Sequence, residues 1–99
     1  MAEEQNSEFR MPKLPKEGEL LGVVEERLRS AKIRVSCTDG EVRICRIPGH
    51  LKRRVWVREG DIVLIKPWEI DNSKADLVWR YNRQQADYLR KNGYLKGAY

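Results

Sequence analysis

The sequence is poor in the groups that most chemistry uses. It holds one histidine, His50, and two cysteines, Cys37 and Cys45, separated by seven residues. A zinc site wants several His, Cys or carboxylate ligands at short spacing, and this pair fits no such pattern. There is no GxSxG elbow, no phosphate-binding GxxxxGK[ST] loop and no GxGxxG turn. No second carboxylate pairs with Asp71 or Asp76 to suggest acid–base work. These absences argue against an enzyme, and no metal or cofactor is expected. No apolar run approaches the roughly 18 residues of a membrane span. The N-terminus is polar and acidic, unlike a secretory signal. A cytoplasmic protein with two reduced, buried thiols is expected, with a disulfide as the minor alternative.

Positive charge is what the chain has. Its 99 residues carry a net charge of +5, unevenly placed. Residues 1–20 hold three cations against five acids, residues 21–58 ten against four, and residues 59–99 seven against six. The excess is therefore local, as in a basic surface patch.

The apolar pattern reads as a small β protein. Residues 1–17 include Pro12 and Pro15, show no periodicity and are expected to form a flexible tail. GELLGVVEERLRS (18–30) reads as a long strand bent at Gly22, with a helix over Glu19–Arg29 as competitor. In KIRVSCTDGEVRICRI (32–47), Ile33, Val35 and Cys37 alternate with Lys32, Arg34 and Ser36, and Asp39-Gly40 marks a hairpin. A two-residue loop would oppose Cys37 to Val42, Val35 to Ile44 and Arg34 to Cys45. It would put Ile33, Val35, Cys37, Val42 and Ile44 on one face, with Lys32, Arg34 and Arg43 on the other. The apolar phase slips at Cys45 and Ile47, so a bulge or a three-residue loop in another register stays open. Further strands follow at 61–68 and 76–81, with Leu77 and Trp79 assigned to the core side of the last. Asn82 and Gln85 fit a capping box for a closing helix, and Gly93 fits its stop. The expected fold is all-β: a five-stranded oligonucleotide-binding barrel over 18–81, a docked C-terminal helix over 82–95 and a free end at 96–99.

HLKRRVWV (50–57) crowds His50, Lys52, Arg53 and Arg54 beside Trp56, and Arg58 follows. Cations hold phosphate without regard to sequence, arginine adds a planar fork, and an exposed indole stacks on unpaired bases. By strand parity Trp56 points away from Val55 and Val57, which favours exposure. Trp68 either packs or stacks. Arg34 and Arg43 either line a solvated face or touch RNA.

Ordered pieces spanning Gly18 to Leu95 carry a resemblance: GVVEERL, DGEVRICRIPG, LKRRVWV, EGDIVLIKPWE, KADLVWRY and YLRKNGYL. With these the chain resembles translation initiation factor 1A in its archaeal form. The resemblance implies a barrel that binds rRNA in the A site of the small ribosomal subunit, blocks premature elongator-tRNA entry and supports initiator-tRNA placement and start-codon selection. Its partners would be that rRNA, other initiation factors including the subunit-joining GTPase and, indirectly, initiator tRNA; a monomer is expected. The implied RNA surface maps onto Arg46, His50, Lys52, Arg53, Arg54, Trp56 and Arg58, with Lys66, Trp68 and Arg80 on neighbouring strand ends. Eukaryotic members carry long charged tails that are short here, so roles residing in those tails are not carried over. The alternative is a general single-stranded nucleic-acid-binding protein on the same fold.

Overall fold

The computed structural model describes residues 12–52 and 56–98. Five strands, β1 (Leu20–Leu28), β2 (Lys32–Cys37), β3 (Val42–Arg46), β4 (Ile62–Pro67) and β5 (Lys74–Arg80), close in the order β1-β2-β3-β5-β4. All pairs are antiparallel except β3 with β5. A single helical turn, α1 (Gly49–Lys52), leaves β3, and α2 (Arg83–Lys91) follows β5. This is the expected five-stranded barrel with a C-terminal helix.

β1 is one strand that serves two neighbours, β2 and β4, and its pairing with β2 shifts between Val24 and Glu26. Gly22 lies opposite Cys37. A Cβ there would sit 2.9 Å from the Ser36 carbonyl oxygen and collide with a Val35 methyl. The bend read from that glycine is thus a close approach of two strands, which only glycine permits.

Alternate residues of β1, β2, β3 and β4 point inward. Val24, Ile33, Val35, Cys37, Cys45, Val63, Ile65 and Leu77 fill the barrel, and Leu51 and Val57 join them from the β3–β4 connection. β4 begins with four consecutive buried residues, Ile62 to Ile65. Both of its faces are covered: Val63 and Ile65 face the barrel interior, while Ile62 and Leu64 pack with Leu21, Tyr81, Leu89 and Leu95 beneath α2. A strand covered on both sides has no polar alternation, which explains its uninterrupted apolar run.

The β2–β3 hairpin corrects the two-residue register. Ser36 opposes Val42, Val35 opposes Arg43, Arg34 opposes Ile44 and Ile33 opposes Cys45. The Cys37 amide donates to the Glu41 carbonyl at 2.8 Å, and Gly40 sits at φ 87°. The loop is therefore Thr38-Asp39-Gly40, three residues with glycine in the left-handed position. Every β3 side chain consequently changes face: Val42 is exposed and Ile44 half-buried, while Arg43 and Cys45 turn inward. The phase seen at Cys45 and Ile47 was the phase of the whole strand. Both thiols are buried and unlinked. Burial pushes the Cys45 thiol up to about 12 and raises that of Cys37.

Trp79 also departs from expectation, because it is exposed rather than in the core. The β4–β5 pairing shifts between Leu64 and Ile65, so Leu77 opposes Ile65 while Trp79 opposes Leu64. That bulge turns the later part of β5 over.

Helix α2 ends as its residues dictate. The Asn82 side chain accepts from the Gln85 amide at 2.8 Å, and the Gln85 side chain accepts from the Asn82 amide at 3.1 Å. At the other end the Tyr94 amide reaches the Leu89 carbonyl and the Gly93 amide that of Arg90. That is a Schellman stop with glycine at φ 80°. Leu95 and Ala98 are buried, and Ser36 Oγ donates to the Ala98 carbonyl at 2.8 Å. Within the expected tail, the Lys13 carbonyl accepts from the Tyr81 hydroxyl. Among the described residues no helix is long and apolar enough to cross a membrane.

Candidate nucleic-acid interface

Strand register builds the basic surface. Reading across the sheet, Lys32 on β2 lies opposite Arg46 on β3, Arg46 opposite Asp76 on β5, and Asp76 opposite Lys66 on β4. These side chains point outward, and Lys32, Arg46 and Lys66 are exposed. Three cations thus cross the outside of the barrel in one row around a single carboxylate. Arg46 Nε lies 3.2 Å from Asp76 Oδ1, which also accepts the indole N–H of Trp68 at 3.0 Å. The Arg46 guanidinium stands 5.8 Å from the Trp68 ring, and Lys74 Nζ 5.9 Å from it. One carboxylate therefore orients both the arginine and the indole.

The row continues onto α1. A shallow depression joins Lys32 and Arg46 to Pro48, Gly49 and Lys52. Leu51, buried, pegs this turn to the barrel and leaves His50 and Lys52 exposed. Val57, also buried, anchors the far side of the same connection. Between the two anchors, Arg53 and Arg54 lie outside the described residues. Trp56 is 64% exposed, as expected, beside buried Val57, with the Arg27 guanidinium 5.5 Å from its ring. Arg58 is exposed, and its amide donates to Asp61 at 2.8 Å.

Not every candidate joins this surface. Arg80 occupies the other end of β5, 3.8 Å from Asp61, in a groove beside Arg83 and Arg90 of α2. Arg34 is on the outer wall, but its guanidinium is paired with Glu26. Arg43 is the clear correction. It is 2% exposed and donates to both Asp39 oxygens at 3.0 and 2.8 Å, to the Asn72 carbonyl at 2.7 Å and to Asn72 Oδ1 at 2.6 Å. It ties the β2–β3 turn to the β4–β5 loop and offers no donor to RNA. Its guanidinium holds the Asp39 carboxyl below the usual range. Lys32, Lys74 and Arg27 are additions that sequence reasoning did not nominate. Strand alternation had already placed Lys32 outward; its neighbours across the sheet could not be known without the register. No cluster of three or more potential metal ligands occurs among the described residues.

The family model described as "Translation initiation factor 1A / IF-1" matches residues 6–98. The chain belongs to this family. Translation initiation factor 1A of Methanothermobacter thermautotrophicus is 50% identical over 93 residues, covering 93% of this chain and 94% of that protein. That of Methanopyrus kandleri is 53% identical over 83 residues, covering 84% and 75% respectively. The chain is accordingly a factor of translation initiation, an RNA-binding protein rather than an enzyme. Among solved structures, the bacterial translation initiation factor 1 from the Wolbachia endosymbiont of Brugia malayi superposes with a TM-score of 0.53 at 24% identity, over 72% of this chain and 84% of that one. YjeQ from Thermotoga maritima superposes with a TM-score of 0.55 at 20% identity, over 67% of this chain and 23% of that one. These two likenesses concern the fold alone.

Proposed function

We propose that the chain binds rRNA in the A site of the small ribosomal subunit, where its bulk blocks premature elongator-tRNA entry and supports initiator-tRNA placement and start-codon selection. The observation that carries this reading is the row of Lys32, Arg46 and Lys66, continuous with α1 and flanked by exposed Trp56 and half-exposed Trp68. The cations hold the phosphate backbone, and the aromatic and guanidinium planes take unpaired bases, as readers of single-stranded RNA do. From their charge and their neighbours in sequence, we assign RNA contact to Arg53 and Arg54 as well. The mechanism is occupancy: a rigid barrel fills a site, and its differential affinity biases the subunit between conformations. Other initiation factors, including the subunit-joining GTPase, act beside it, and initiator tRNA is affected indirectly.

The test is equilibrium binding of labelled protein to purified archaeal small subunits, with A-site tRNA and random oligonucleotides as competitors. One-to-one binding that A-site tRNA displaces and random oligonucleotides do not is the expected result. Binding abolished by random oligonucleotides would make the chain a general single-strand binder.

A further inference from the structure

The β4–β5 connection carries an arrangement that phosphate binding alone does not require. Trp68 is half-buried and held by Asp76 at its indole N–H. Beside it Ile70 is 93% exposed. Together with Arg46, Lys66, Glu69 and Asp76 they line one open depression. The loop is well tied. The Trp68 amide donates to the Lys74 carbonyl at 2.9 Å, the Lys74 amide to the Asp71 carbonyl at 3.0 Å, and Asp71 Oδ1 accepts from both the amide and hydroxyl of Ser73 at 3.1 and 2.6 Å. A lone exposed isoleucine is ordinary. This one is presented on an ordered loop next to an oriented indole and two cations.

We propose that this depression is a subsite for one unpaired RNA nucleotide. Its base stacks on Trp68, its phosphate meets Lys66 and Arg46, and Ile70 wedges against the neighbouring base. The inference rests on the RNA-binding reading above and adds a second base contact, separate from Trp56. The oriented indole face favours a planar base over an acidic peptide. Two carboxylates share the depression, those of Glu69 and Asp76. They accept from an exocyclic amino group. Adenine, cytosine and guanine have such a group and uracil does not. A preformed, well-tied site also loses little entropy on binding.

The experiment has two arms. In the first, pentaadenylate and pentauridylate are titrated into isotope-labelled protein while the indole N–H of Trp68 and the methyls of Ile70 are followed by NMR. Both sets of signals move with pentaadenylate and move less with pentauridylate. In the second, Trp68→Ala and Ile70→Ser are compared with wild type on small subunits. Trp68→Ala lowers affinity about tenfold or more, as lost base stacking does, with the salt dependence unchanged. Ile70→Ser lowers it severalfold; its exposed side chain has no folding role to lose, so this variant stays informative if Trp68→Ala is unstable. Wild-type binding that neither variant weakens, or oligonucleotide titrations that move only Trp56, overturn the subsite and leave the ribosomal reading standing. Failure of wild type to bind subunits overturns both.

Discussion

Replacing Arg43 with Met should cost stability and leave RNA binding intact. The guanidinium makes four hydrogen bonds, two of them to the Asp39 carboxylate, from a position that is 2% exposed. Removing one partner of a fully buried pair costs about 3–5 kcal/mol. Here the stranded groups partly rehydrate, because the Asp39 side chain is 35% exposed. Methionine also refills much of the stem volume. The expected loss is therefore about 2–4 kcal/mol. At roughly 4–8 °C per kcal/mol for a domain of this size, the melting temperature falls by about 8–32 °C. Thermal and urea unfolding measure it, and subunit binding is assayed well below the lowered midpoint. The pH dependence supplies an internal check. The folded Asp39 carboxyl lies below its unfolded value. Its contribution is thus complete above about pH 4 and is lost as pH falls through the folded value. Arg43→Met should lack that part of the acid sensitivity. A variant that melts with wild type, or that loses subunit affinity at full stability, would refute the structural role assigned to this arginine.

The other expectations are briefer. Gly22→Ala should destabilise by about 1–3 kcal/mol, the usual cost of overpacking, because its Cβ meets Val35 and Ser36; an unchanged urea midpoint would contradict the close approach. Neither thiol should react with a disulfide reagent at pH 8 in the native state, and both should react on denaturation, since both are fully buried with raised pKa values. Fast native labelling of either would count against the barrel interior as described. Lys52, Arg53 and Arg54 changed together to Ala should flatten the log–log salt slope of RNA binding by roughly 2 units, at about 0.7 per single-strand phosphate contact. Trp56→Ala should lose affinity at an unchanged slope, and unaltered binding in both would remove this segment from the interface.

The sequence made the barrel readable where local chemistry decides the outcome. Alternation in β2, the capping residues Asn82 and Gln85, the stop at Gly93 and the outward turn of Trp56 all depend on neighbours within a few positions. The failures share a different cause. Trp79 and the β3 side chains depend on bulges and loop length, and a shift of one residue turns a strand over. Asp39-Gly40 is compatible with a two- or a three-residue loop, and the dipeptide alone does not choose. The choice has large consequences for the site. In the two-residue register Arg43 would face solvent as an RNA candidate and Cys45 would oppose Arg34. In the observed register Arg43 is spent on holding two loops together, and Arg46 is the β3 cation that reaches the surface, opposite Lys32 and Asp76.

The same register explains why the interface combines residues far apart in sequence. Lys32, Arg46 and Lys66 come from three strands, and no linear motif contains them. HLKRRVWV is conspicuous because its cations are consecutive, yet consecutive cations on a short connection need a scaffold to aim them. Leu51 and Val57 anchor that connection at both ends. On the barrel wall each side chain of the row is carried by its strand, and Asp76 orients Arg46 and Trp68. Affinity that depends on the cations of HLKRRVWV should fall with salt and vary little with the base. Selectivity among bases should instead depend on the wall, where Trp68 and its carboxylates have fixed positions.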